Sequence, residues 1–109
     1  MKPERDRHGY VYVIFHPNYP YQSKVGLAVD PKRRLAAANT WSPTARFGLC
    51  GAVRFTDAPT AERVAHRLLK AHRGRGEWFR IPPIEALNLL RGLRRRELRL
   101  LKDTHGRQR

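Results

Sequence analysis

The segment GYVYVIFHP, residues 9–17, constrains the fold more than any other part of the chain. It is a short apolar run rich in β-branched and aromatic residues, opened by glycine and closed by proline, which predicts a buried central strand rather than a helix. The following NYPYQS carries the turn-forming residues Asn18 and Pro20 and predicts a hairpin loop before a second strand at 23–28. The two strands are therefore expected to be antiparallel neighbours.

Helices are predicted on both sides of a third strand. Asp30 followed by a proline marks a helix start, and this first helix is expected to end near residue 39. LCGAVRFT then predicts the third strand, and Asp57 caps a second helix that stops at the GRG segment. EWFRI predicts a brief strand or extended segment, whose Trp78 and Phe79 are expected to be core residues. IEALNLLRGLRRRELRLLK predicts a leucine-rich amphipathic helix.

These elements predict a single α/β domain. The expected fold is a small central antiparallel sheet of three strands flanked by helices, with a basic C-terminal helix. Residues 1–8 are interpreted as a flexible basic lead-in, 9–102 as the domain and 103–109 as a frayed basic tail.

The formal net charge of +14 indicates a polyanionic partner. Nucleic acid is the first candidate, since neutralised phosphates release condensed counterions, and an anionic membrane surface is the second. The one cysteine, Cys50, excludes an internal disulfide and leaves too few thiols for a common zinc cluster. No stretch approaches the ~18 apolar residues of a membrane helix and the first residues are polar, so a cytoplasmic location is expected.

The first two predicted strands carry candidate catalytic residues. Tyr10 and Tyr12 share one face of the first strand, and Lys24 and Gly26 share a face of the second. The hairpin can place Lys24 beside either phenol, where an ammonium stabilises phenolate and makes the tyrosine a better proton acceptor. Gly26 would let a backbone or phosphate approach. From the strand alone, both tyrosines also fit as core residues.

Arg34 lies one to two turns into the first helix, a rigid element suited to holding a guanidinium against a phosphate. The same helix carries Lys32 and Arg33, and this basic face also fits an ordinary solvated surface. Trp41 follows in a predicted loop, where stacking on an unpaired base is one interpretation.

Glu62 is a rare acid among basic neighbours, early in the second helix. It favours the helix dipole, and it is also a lone carboxylate for a hydrated Mg²⁺. His66 lies one turn further on the same face.

Together these residues resemble a known family. GYVYVI, then KVG, then Arg34 eight residues after the glycine, then AERVAH and finally GEWF are similar to the GIY-YIG nuclease superfamily, most closely its phage-type subfamily with a Glu-x-x-x-His helix and a Gly-Glu-Trp-Phe segment. The resemblance covers roughly residues 9–90. Two positions depart from the pattern: Lys24 stands where the second motif has a tyrosine, and Ala38 where many members carry another.

The resemblance implies a metal-dependent endonuclease. Tyr12 matches the tyrosine of the first motif, Gly26 the glycine of the second, Arg34 the helix arginine and Glu62 the ligand of Mg²⁺ or Mn²⁺. Tyr12, assisted by Lys24, would help to deprotonate the attacking water, leaving a 5′-phosphate and a 3′-hydroxyl. Tyr10 and His66 complete the candidate catalytic set.

DNA, or RNA, is the expected partner. The residues expected to contact it are Gly26, Lys32, Arg33, Trp41, Arg63, Arg67, Arg94 and Arg95. Low sequence preference is expected, because such basic contacts position a protein without reading bases. A leucine stripe that includes Leu87, Leu90 and Leu98 also suits a homodimer.

The same charge fits a rival function, a nucleic-acid-binding module that holds DNA without cutting it. A third reading is a phage-encoded protein that acts on a host protein, for which the sequence offers no positive feature.

Overall fold

A computed structural model of the chain describes residues 7–41, 46–76 and 78–107, with side chains as far as residue 102. The strands are β1 Gly9–His16, β2 Tyr19–Ala28, β3 Gly48–Phe55 and β4 Trp78–Phe79. The helices are α1 Pro31–Trp41, α2 Ala58–Leu68 and α3 Pro83–Arg107, with a 3₁₀ turn at Lys70–His72.

The α/β fold is confirmed, with four strands rather than the predicted three. The strands run antiparallel in the order β3-β1-β2-β4, which places β1 inside the sheet as its composition predicts. β4 is the added strand; it pairs with Ser23 and Lys24 of β2, and its Phe79 also bridges Arg73. Two residues are too few for a strand signal to stand out in the sequence.

The hairpin differs from the expected one, because β2 begins at Tyr19 and the turn is only two residues long. The pairing steps from Ile14 opposite Lys24 to His16 opposite Tyr19, so β2 carries extra residues there, among them Pro20. Such a bulge tolerates proline, since its missing N–H is not needed by the partner strand.

One face of the sheet carries the hydrophobic core. Val11, Val13 and Val25 are almost fully buried there with residues of α2 and α3, while the neighbouring residues of β1, Tyr12 and Ile14, point to the opposite face. That opposite face is covered by α1, none of whose residues is buried. The second face is therefore open enough to hold a site.

The start of α2 is held by charged side chains. Asp57 caps the helix by accepting from the Thr60 backbone N–H, and Arg7 donates to the Asp57 carboxylate at 2.8 Å. Glu97 of α3 accepts from the backbone N–H groups of Thr56 and Asp57. Burial raises the pKa of Asp57, but hydrogen bonds from Arg7 and Thr60 outweigh it and hold that pKa below its ordinary value.

The structure describes residues beyond both ends of the predicted domain, 9–102. Arg7, assigned to the flexible lead-in, is bound to the start of α2, and α3 continues to Arg107 through much of the predicted tail. Residues 1–6 and 108–109 lie outside the described part.

Leu87 and Leu90 of the predicted dimer stripe are buried in this chain's own core, while Leu98 is 48% exposed. Among the described residues, no helix is both long and apolar enough to cross a membrane.

Candidate active site

Two adjoining cavities lie on the α1 side of the sheet. The aromatic cavity, of about 230 Å³, is lined by Tyr12, Ile14, Lys24, Arg34, Ala37, Ala38, Trp41, Phe47 and Trp78. The carboxylate cavity, of about 140 Å³, is lined by Tyr12, Lys24, Val25, Gly26, Leu27, Arg34, Glu62 and His66. Tyr12, Lys24 and Arg34 border both, so these three side chains form the junction between them.

Tyr12 sits in the middle of the site because its strand neighbours are small. Its partner on β2 is Gly26 and its partner on β3 is Ala52. A Cβ added to Gly26 would lie 2.3 Å from the Tyr12 hydroxyl oxygen, so the phenol ring occupies the space above the glycine. With 2% of its surface exposed, Tyr12 is fixed in position and contacts solvent through the cavities.

Lys24 reaches the site from the neighbouring strand. Its partner on β1 is Ile14, so it lies diagonally across from Tyr12 and on the same face. On its other side it pairs with Trp78 of β4. The backbone of Lys24 is thus fixed by a strand that is paired on both sides.

One face of α1 forms the roof of the aromatic cavity. Arg34, Ala37, Ala38 and Trp41 recur at the three- and four-residue spacing of one helical face, and all four line this cavity. Asp30 directly precedes the helix, and its carboxylate accepts from the Arg33 backbone N–H and so helps to fix the first turn.

Helix α2 contributes two side chains to the site. His66 of α2 donates from Nε2 to the carbonyl of Val25, the residue that follows Lys24 on β2, at 2.8 Å. The His66 ring also packs against Phe79, with centroids 5.2 Å apart. Glu62 lies one turn before His66 on the same helical face and lines the same cavity. His66 therefore holds the helix that carries the carboxylate.

The Glu62 carboxylate fits a divalent cation. It is half-buried, and within the described residues it has no hydrogen bond or ion pair, although the chain carries a net charge of +14. No three His, Cys, Asp or Glu side chains group as metal ligands in that part of the chain. A single carboxylate suits Mg²⁺, which keeps most of its waters and takes its other ligands from substrate phosphates.

The model of the T5orf172 domain matches residues 9–94, from the start of β1 into α3. This chain belongs to the T5orf172 domain family. The family is phage-associated and nuclease-related, and it indicates interaction with nucleic acid. Comparisons with curated proteins and with solved structures found no match. The matched residues include the complete lining of both cavities.

In this T5orf172 domain, five of the six predicted catalytic residues border the carboxylate cavity: Tyr12, Lys24, Arg34, Glu62 and His66. Tyr10 is the exception, because it lines neither cavity and lies opposite Ala28 at the far end of the hairpin. The space at Gly26, expected to admit a phosphate, is filled by Tyr12 instead.

The predicted nucleic-acid contacts of the T5orf172 domain are more scattered. Trp41 lines the aromatic cavity, and Lys32 and Arg33 are exposed on α1 beside Arg34. Arg63 and Arg95 are exposed on α2 and α3, and Arg67 lines a separate groove between those helices. Arg94 is a correction: it is ion-paired with Glu97 and donates to the Thr56 hydroxyl, so its guanidinium serves the fold.

Sequence reasoning missed the aromatic wall of the site. Trp78 was assigned to the core with Phe79, but adjacent residues of a strand face opposite sides of the sheet. Phe79 is fully buried, whereas Trp78 stacks on Phe47 with ring centroids 5.9 Å apart. The alternation rule, applied to β4, would have placed one of the two rings on the α1 side.

Proposed function

We propose that this T5orf172 domain is a metal-dependent endonuclease of the GIY-YIG type that hydrolyses DNA phosphodiester bonds with low sequence preference. One observation carries the proposal: a phenol from β1, an ammonium from β2, a guanidinium from α1 and a carboxylate from α2 border one cavity of about 140 Å³. Core packing alone does not explain why four polar groups so distant in the chain line one open, polar cavity.

Each side chain has a role that its position supports. Arg34 is exposed at the mouth of both cavities and holds a non-bridging oxygen of the scissile phosphate. Tyr12, fixed over Gly26, would take a proton from the attacking water, and Lys24 borders the same cavity. The water oxygen bonds to phosphorus as the bond to the 3′-oxygen breaks, leaving a 5′-phosphate and, after protonation from solvent, a 3′-hydroxyl.

Glu62 would hold the cation and His66 would fix the helix that carries it. When bound, Mg²⁺ or Mn²⁺ would supply positive charge for the oxygen that leaves phosphorus. His66 is a positioning residue, since its Nε2 is committed to the Val25 carbonyl.

Plasmid cleavage tests the proposal. Purified protein with Mg²⁺ or Mn²⁺ is expected to nick supercoiled plasmid, and Glu62→Gln and Arg34→Ala are each expected to lower the rate by at least ~100-fold, the scale of losing one transition-state contact. Glu85→Gln removes the same charge from an exposed position on α3, and Arg80→Gln a guanidinium from an exposed loop. Both control variants are expected to cut like the wild type.

Binding separates the enzyme from its rival. Glu62→Gln is expected to shift DNA in a gel as the wild type does, because it removes no positive charge. Shifts without cutting under every metal would establish a binding module instead. Cutting that persists in both Glu62→Gln and Arg34→Ala would come from a contaminant. One dominant motif among mapped cleavage ends would refute the low sequence preference.

A further inference from the structure

The aromatic cavity has two chemically distinct ends. One end is apolar and aromatic, formed by Trp41, Phe47 and Trp78, and the other carries the Lys24 ammonium and the Arg34 guanidinium. The catalytic roles above use only the charged end. A ligand that matches both ends is flat and apolar on one side and anionic on the other, as a nucleotide is.

Trp41 is unusual among the aromatic residues of this cavity because it is 87% exposed. Indole side chains normally bury a large apolar area. Trp41 instead stands at the last residue of α1, on the helical face that carries Arg34. The two are seven residues apart, about 10 Å along the axis at 1.5 Å per residue. One or two nucleotides of extended strand span that separation between a phosphate and a neighbouring base.

The wall of the aromatic cavity opposite α1, formed by Phe47 and Trp78, is held in place by contacts within the protein. Phe47 and Trp78 stack at an interplanar angle of 29°, and His16 contacts Phe47 edge-on at 5.7 Å. The Phe47 backbone N–H donates to the Asn39 side chain, whose amide donates back to the Phe47 carbonyl. These contacts hold the wall to the end of α1, so its rings lose little freedom when a base enters.

We propose that the aromatic cavity receives an unpaired base, so that the preferred substrate is a single strand or a duplex with unpaired nucleotides at the cut. This rests on the proposed function and names its substrate class. In an intact duplex both faces of each base are covered by its neighbours, and Trp41 can stack only on a base outside that stack. The small side chains of Ala37 and Ala38 leave the room between the two walls.

Binding without catalysis tests this inference. Anisotropy of a labelled oligonucleotide is measured in EDTA, so that no strand is cut, with the single strand, the full duplex and a duplex containing a short unpaired bubble. Trp41→Ala is expected to weaken binding of the single strand and the bubble by about 5-fold to 150-fold, the range for one base on an aromatic ring. Duplex affinity is expected to stay unchanged. A matched RNA strand shows which polymer binds more tightly.

Three variants control the measurement. Trp41→Phe keeps a stacking ring and is expected to retain most of the affinity. Ala38→Leu narrows the cavity and is expected to weaken single-strand binding while leaving Trp41 in place. Tyr21→Ala removes an equally exposed ring, 73% exposed, from β2 at a position that lines neither cavity, and is expected to change nothing. The ratio of wild-type to Trp41→Ala affinity is expected to persist as salt rises, since stacking releases no counterions.

The outcome separates this inference from the proposed function. Equal loss of duplex and single-strand affinity in Trp41→Ala, or no loss in either, would overturn the unpaired-base inference even if the plasmid is cut. If Trp41→Ala loses affinity for the single strand but not for the duplex, and no metal supports cleavage, the proposed endonuclease activity is overturned and the unpaired-base inference stands.

Discussion

The contact between Tyr12 and Gly26 gives the most direct test of how the site is built. A methyl group at residue 26 would lie 2.3 Å from the Tyr12 hydroxyl oxygen, 2.5 Å from Cζ and 3.0 Å from Cε2. Tyr12 is 2% exposed, so its ring has little room to withdraw. Overpacking of this kind costs about 1–3 kcal/mol. We expect Gly26→Ala to lower the free energy of unfolding by about 2–3 kcal/mol, near the upper end because the hydroxyl oxygen and two ring carbons all lie within 3.0 Å of the new methyl group.

Urea unfolding of a double-mutant cycle isolates this contact. Tyr12→Val keeps a β-branched residue on the strand and removes the ring from above Gly26. In that background Gly26→Ala is expected to be neutral or stabilising, because the new methyl group fills vacated space. The coupling free energy should then be about 2 kcal/mol or more.

A cost of Gly26→Ala that is equal in both backgrounds would refute this account of the glycine. An unchanged free energy of unfolding for Gly26→Ala with Tyr12 present would also refute it. The proposed nuclease activity gives a second readout, because a displaced phenol is expected to lower the cleavage rate even at temperatures where the variant stays folded.

Three further predictions concern the supports of the site. Glu97→Ala leaves two backbone N–H groups at the start of α2 without their acceptor and should lower the free energy of unfolding by roughly 2–4 kcal/mol in urea, with Glu97→Gln costing less. The fold lowers the pKa of Asp57, so the ionised carboxylate stabilises the protein fully above its ordinary pKa of 3.8, and this contribution is lost as pH falls through the lower folded value. Arg7→Ala should therefore flatten the acid side of a plot of the free energy of unfolding against pH. An unchanged acid side would contradict this prediction. His66→Ala should speed hydrogen exchange along β2 and cost about 1–2 kcal/mol, while His66→Gln, which can still donate to the Val25 carbonyl, should recover part of the loss.

The sequence predicted the elements that have strong local signals. β1 and the starts of α1 and α2 follow from composition and from the Asp-Pro and Asp57 caps, and parity along β1 and β2 placed Tyr12 and Lys24 on one face. The sequence predicts β4 only as a brief strand or extended segment, because a pair of residues shows no periodicity.

The errors arose where tertiary contacts decide. Strand parity made Tyr10 equivalent to Tyr12, but α1 lies over only one of them. Gly26 looked like room for a ligand, since the sequence does not reveal that a cross-strand ring fills it. Arg94 looked like one more basic surface residue, and only the fold brings Thr56 beside it and completes its polar contacts.

The unburied state of α1 has a consequence for how this domain can change. Arg34 and Trp41 stand on a helix none of whose residues is fully buried, so substitutions on its exposed face disturb the core little. Substitutions on α1 can therefore alter which nucleic-acid strands bind, while Tyr12 and Lys24 of the sheet keep their positions.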